Sequence, residues 1–131
     1  MLIDIEVSQE YKTTPETLFS VIENGALFEL TGADKISVDF KVNGKFILEF
    51  NNRGTISGVI THIISPNQLW MKWDVEGFGM ETEKDTQVKI SILKRSKTEL
   101  TLNHGGIKTK ASAEAKKKAW TEILNDLQYK R

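Results

Sequence analysis

Cysteine is absent from the 131 residues, so neither a disulfide framework nor a thiolate metal site is available. An excess of one charge is absent as well, since 18 basic residues balance 18 acidic ones. Without a basic surplus the counterion-release drive for nucleic acid is missing, and no nucleic-acid partner is expected. No stretch approaches the roughly 18 apolar residues of a membrane span. The opening MLIDIEVSQE puts acids where a signal peptide needs a basic segment and an apolar run. These absences lead to the expectation of a soluble cytoplasmic protein. The only histidines, His62 and His104, lie far apart and have no cysteine beside them, so no metal and no cofactor are expected. No glycine-flanked nucleophile elbow is present either, and no catalytic residue is assigned.

What is there is periodicity. Ile3, Ile5 and Val7 alternate with polar residues, the mark of a half-buried strand. Thr13 or Thr14 then caps a helix that opens on Pro15, buries Leu18, Phe19 and Ile22, and ends at Asn24-Gly25. A second short helix is expected from Ala26 to Leu30. From Ile36 the pattern turns to period two. Ile36, Val38, Phe40 and Val42 form one strand, and Asn43-Gly44 reads as a tight hairpin turn. Phe46, Leu48 and Phe50 return, followed by Ile56 to Ile64 and the turn at Pro66-Asn67. Leu69, Met71, Trp73 and Val75 face one way, with Trp70 and Lys72 opposite. A loose Gly/Glu/Lys loop precedes Val88, Ile90 and Ile92, and Leu100 and Leu102 close the series. Six consecutive strands make an antiparallel meander, with the first strand added at an edge. Ser112 to Lys130 is the longest helical stretch; Trp120, Ile123, Leu124 and Leu127 share one stripe. Residues 1–131 read as a single α+β domain, without repeat or linker.

Three pieces carry a resemblance to a known family. Gly58, Pro66, Leu69 and Trp73 mark a strand, a proline turn and a strand ending in tryptophan. Thr98, Leu100, Thr101, Leu102, His104 and Gly106 make a Thr-x-Leu-Thr-Leu-x-His-x-Gly strand end, and Trp120, Leu124 and Leu127 form the closing helix motif. In this order they resemble the START-like (SRPBCC, helix-grip) superfamily, in its branch named after the activator of the HSP-90 ATPase. Asn43-Gly44 stands where that branch often has Gly-Gly, Ala119 where it often has glycine, and Phe28 is the one candidate for its usual tryptophan after the first helix. The resemblance implies a curved sheet of about seven strands wrapped around a long C-terminal helix. It also implies a cavity between them, which related proteins use for lipids, hormones or polyketides.

On that reading the cavity wall is also the core. The expected lining is Phe40, Phe46, Leu48, Phe50, Ile60, Met71, Trp73, Ile90, Leu100, Leu102, His104, Trp120 and Leu124. A dry void of about 300 Å³ would cost on the order of 7 kcal/mol, comparable with a domain's whole stability. The cavity is therefore expected to be filled, or to have collapsed around Phe46, Met71 and Trp73. His62 and His104 are read first as surface or satisfied structural histidines and second as ligand contacts. Asp39 and Glu49 fall on solvated strand positions. Gly77-Phe78-Gly79 is read as a hairpin loop, or else as a lid with Phe78 and Met80 over the cavity mouth. Lys116 and Lys117 are placed on a solvated helix face, the other reading being a cavity rim that meets an anionic headgroup. The expected function is non-enzymatic binding of a small hydrophobic or amphipathic molecule or lipid. The alternatives are a chaperone-associated interaction module and, behind it, an enzyme of the cyclase or aromatase kind.

Overall fold

The computed structural model describes residues 2–127. Strand β1 (Ile3–Tyr11) is followed by helices α1 (Pro15–Glu23) and α2 (Ala26–Glu29). Strands β2 (Lys35–Val38), β3 (Lys45–Phe50), β4 (Gly54–Ile64), β5 (Gln68–Gly77), β6 (Met80–Lys94) and β7 (Thr98–Ile107) follow, and helix α3 (Lys110–Leu127) is the last element among the described residues. All seven strands join one antiparallel sheet in the order β1-β7-β6-β5-β4-β3-β2. This is the expected helix-grip architecture, with β1 at one edge and the meander ending on β2 at the other. No helix among the described residues is long and apolar enough to cross a membrane.

The local reasons are those of the sequence. Thr14 accepts from the Thr17 N–H at 3.1 Å and Pro15 occupies the first turn of α1. Gly25, at φ +93°, ends α1 and starts α2. Alternation along β3, β5, β6 and β7 buries one side of the sheet beneath α3. On that side lie Leu48, Ile60, Leu69, Val88, Ile90, Ile92, Leu100 and Leu102, all fully buried.

A row of rings crosses this face. Phe28 on α2 meets Phe46 at 5.1 Å, Phe46 meets Trp73 at 5.4 Å, and Trp73 meets Trp120 on α3 at 5.1 Å. Phe46 and Trp73 sit on strands that are not neighbours, for both pair with Gly58 of β4 between them. A Cβ at Gly58 would stand 2.7 Å from the Phe46 ring and 1.9 Å from the Lys72 carbonyl oxygen. Glycine is therefore required: it lets the phenyl ring lie across β4 and lets the β4 and β5 backbones approach.

Four local expectations are corrected. Strand β2 stops at Val38, Phe40 is half-buried against the core edge, and Val42 is exposed. After one further bond in register, from the Asp39 N–H to the Lys45 carbonyl, the Lys41 and Gly44 N–H groups turn back to the Asp39 and Lys41 carbonyls and the chain leaves the ladder. Asn43-Gly44 is then the end of a wider loop, with Asn43 alone at positive φ (68°). Gly44 is needed for closeness, since its Cβ would fall 1.9 Å from the Asp39 carbonyl oxygen. The segment read as a loose loop after Gly79 is instead the first half of the 15-residue strand β6. Finally, α3 begins at Lys110, with Thr109 Oγ1 accepting from the Ser112 N–H at 3.1 Å; Ser112 is inside the helix rather than capping it. The expected helix end at Lys130 lies outside the described residues.

Replacing Gly58 with alanine should cost about 2–3 kcal/mol through overpacking against the Lys72 carbonyl and the Phe46 ring. Urea unfolding would show it as a lower midpoint at unchanged slope. A midpoint equal to that of the wild type would contradict the crossing-ring geometry.

Candidate functional site

The stripe of α3 that faces the sheet is not wholly apolar. Ser112, Ala113, Lys116, Trp120, Ile123, Leu124 and Leu127 are buried on it. Three polar contacts hold this stripe down. The Tyr11 hydroxyl on β1 donates to the Leu124 carbonyl at 2.7 Å, and burial pushes the phenol's pKa well above its ordinary value. Trp120 Nε1 donates to His104 Nδ1 at 3.0 Å. Lys116 Nζ donates to Glu83 Oε1 on β6 and to Ser112 Oγ at 2.8 Å.

The histidine contact fixes a direction. Indole nitrogen only donates, so Nδ1 of His104 accepts and the ring proton sits on Nε2. Nε2 lies 2.8 Å from Thr86 Oγ1, which therefore accepts from the histidine and donates its own proton to the Trp73 carbonyl. The relay Trp120, His104, Thr86, Trp73 uses both imidazole nitrogens. His104 is fully buried, and its pKa falls to about 3, first through burial and next through the charge of Lys116, with Glu83 opposing. It is a neutral structural histidine. His62, in contrast, is exposed on the other side of the sheet, 4.4 Å from the Trp70 ring.

Lys116 corrects the expectation most sharply. It is neither on a solvated face nor free to meet an anionic headgroup, because it is buried and paired with Glu83. Glu83 Oε1 also accepts from Ser112 Oγ at 2.7 Å, and its Oε2 accepts from the Lys108 N–H at 3.3 Å. Burial alone would raise the Glu83 pKa; the bonds from Lys116, Ser112 and Lys108, with the lysine's charge, outweigh it and hold the carboxyl below its usual value. Removing one member of such a pair strands a buried charge, at a cost of about 3–5 kcal/mol. Spacing in α3 carried a signal for this cluster. Ser112, Lys116, Trp120 and Leu124 recur every fourth residue on one stripe.

Beside this clasp an apolar pocket of about 260 Å³ opens between α3 and the β3–β5 end of the sheet. The sheet supplies Phe50, Ile56, Trp73 and Val75, and the helix supplies Ala115, Lys116, Ala119, Trp120 and Ile123. Thr31, Arg53, Phe78 and Met80 complete it. Of the expected lining residues, Phe50, Trp73 and Trp120 are on this wall. Phe46, Leu48, Ile60, Met71, Ile90, Leu100, Leu102 and Leu124 are packed into the core, and His104 stands in the relay behind the two tryptophans. Phe40 lies at the core's edge.

The rim has an unusual backbone. Gly77 pairs with Met80, so Phe78 and Gly79 form a two-residue turn with both φ values positive, 59° and 71°. Asparagine or glycine suits the first position; a phenylalanine there costs about 1–3 kcal/mol. The conformation sets the Phe78 ring edge-on against Phe50 at 5.1 Å, and the Phe78 N–H donates to the Arg53 carbonyl at 2.7 Å. The loop is an ordinary hairpin in connection, and Phe78 and Met80 do stand at the pocket mouth.

The His104 relay sets an acid response. Folded His104 stays neutral down to about pH 3, while the unfolded side chain takes a proton below about pH 6.5. Between those values the unfolded chain binds more protons, so stability falls as pH falls. From pH 7 to pH 5, His104 should account for about 2 kcal/mol of lost stability, measured by urea unfolding. The loss should vanish in His104→Gln; an equal loss in that variant would refute the assignment.

Residues 12–129 match the family described as "Activator of Hsp90 ATPase homolog 1-like protein". Among solved structures, the HSP90 activator PFC0360w from Plasmodium falciparum is 27% identical with a TM-score of 0.71, covering 96% of this chain and 94% of that one. The Aha1 dimer from Colwellia psychrerythraea is 18% identical at a TM-score of 0.75, covering 96% and 93%. Mll3558 from Rhizobium loti superimposes at a TM-score of 0.83 with 14% identity, covering 100% and 98%. No curated protein matches the chain in sequence. With nearly its whole length inside the match and its fold shared by these structures, the chain belongs to the Activator of Hsp90 ATPase homolog 1-like family.

Proposed function

We propose that the chain binds a small hydrophobic or amphipathic molecule in the pocket between the sheet and α3, without performing chemistry on it. The observation that carries this reading is the convergence of four rings, Phe50, Trp73, Phe78 and Trp120, on one open pocket. One of them, Phe78, is held at positive φ to get there. Strain kept at a rim is a pointer to function. The polar groups near the wall are arranged for holding rather than for proton transfer. Lys116 is paired with Glu83, and His104 has both nitrogens engaged. A volume of about 260 Å³ lies just below the usual range of ligand pockets, about 300–1,000 Å³, and favours one or two rings over a long acyl chain.

A panel of ring compounds and short lipids should contain members that raise the melting temperature; saturation at 100 times the Kd adds about 2.7 kcal/mol. Ala119→Trp, placed on an exposed helix position of the wall, should keep the fold and abolish the shift. Phe78→Asn relieves the turn while removing a ring, so it should melt within a few degrees of the wild type and bind more weakly. A panel without effect on the wild type would sink the reading.

A second reading, docking on an HSP-90 chaperone, is favoured by the 27% identity to the Plasmodium falciparum HSP90 activator. Stimulation of a chaperone's ATPase by this chain, retained in Ala119→Trp, would support it and separate it from the pocket. No stimulation would remove it.

A further inference from the structure

We infer that the ligand is an aromatic acid: a flat body of one or two rings held by the pocket, with a carboxylate received by Arg53 at the rim. This rests on the binding reading above and assigns the chemistry of the same site. The charge count on the wall comes first. Two cationic residues line the pocket, Lys116 and Arg53. Lys116 is neutralised by Glu83. Among the described residues the ion pairs join Lys41 to Asp39 and Lys116 to Glu83, and Arg53 belongs to neither. The uncompensated charge of the wall is therefore positive, and it stands at the mouth.

Arg53 is also held in place. Its guanidinium carbon lies 5.3 Å from the centre of the Phe50 ring, and its carbonyl takes the Phe78 N–H. Stacking on a ring leaves the planar N–H fork of an arginine free to grip a carboxylate with two parallel bonds. The remaining polar atoms of the wall are already engaged. Thr31 Oγ1 donates to the Phe28 carbonyl at 2.5 Å and accepts from the Ala33 N–H, Trp120 Nε1 donates to His104, and Lys116 uses two of its three protons on Glu83 and Ser112. A neutral hydroxyl or carbonyl can accept one N–H of the Arg53 fork, whereas a carboxylate takes two and brings the opposite charge. The rings of Phe50, Trp73, Phe78 and Trp120 favour a flat, polarisable body over a branched aliphatic one.

Two probes with the same ring system test this: naphthalene-2-carboxylate and naphthalene-2-methanol, titrated calorimetrically into the wild type and into Arg53→Gln. The wild type should prefer the carboxylate by about tenfold, the worth of one charge-assisted contact at a partly exposed site. That preference should shrink with added salt. In Arg53→Gln the ratio of the two affinities should fall to about one. Equal affinities in the wild type, or a preference that survives in Arg53→Gln, would overturn the acid assignment and leave the pocket reading standing. If neither probe binds the wild type, the acid assignment falls, and the melting panel alone decides the pocket reading.

Discussion

Everything in this molecule depends on how α3 is seated. An apolar stripe over a curved apolar sheet can slide or rotate with little penalty, because hydrophobic contact has no direction. Directional bonds remove that freedom. Tyr11 reaches the Leu124 carbonyl, Trp120 reaches His104, and Lys116 reaches Glu83, so the helix is tied to β1, β7 and β6 along successive turns. Each bond is buried, and a shift of one residue would leave several polar groups unsatisfied at about 1–3 kcal/mol apiece. The described residues contain no buried side-chain polar atom without a partner. Polar satisfaction thus adds a directional lock to the packing of α3.

The same seating decides where space remains. Phe46, Met71 and Trp73 fill the middle of the sheet's inner face, so the interior is closed between α2 and the relay. Room persists at the end where the wall changes from large to small side chains. Ala115 and Ala119 border the slot there, exposed beside the buried Lys116 and Trp120. Small residues on the helix and rings on the sheet make a slot rather than a chamber. A collapsed interior and an open slot are two halves of one solution to the energetic cost of a dry void.

The sheet, its strand order and the gripped helix were legible because period-two alternation and the helical stripe are long signals that tertiary context rarely overrides. The turn chemistry was less so. Asn43-Gly44 has the composition of a tight hairpin, yet the glycine serves the close approach of Asp39 and the loop is wider. The first half of β6 is hard to read because Glu81 to Thr86 is polar; pairing with β5 continues there at Thr86, Glu83 and Met80, across two register shifts. The Glu83–Lys116 pair was hidden for the same reason. Lys116 stands on the buried stripe by spacing alone, but nothing in a one-dimensional pattern says which distant acid meets it. Of the expected wall, Phe50, Trp73 and Trp120 are on the pocket; alternation identifies a face of the sheet, not the part of it that the helix leaves uncovered.

Pocket and clasp are coupled by construction. The wall is divided between the sheet and α3, so a molecule bridging Trp73 and Trp120 has a complete site only while the helix is docked. Binding and helix docking must then reinforce each other by linkage, whatever the ligand's affinity. Lys116 connects the two most directly, since its side chain both borders the pocket and closes the bond to Glu83. Buried and already paired, Lys116 is better placed as part of a rigid back wall than as a binding group.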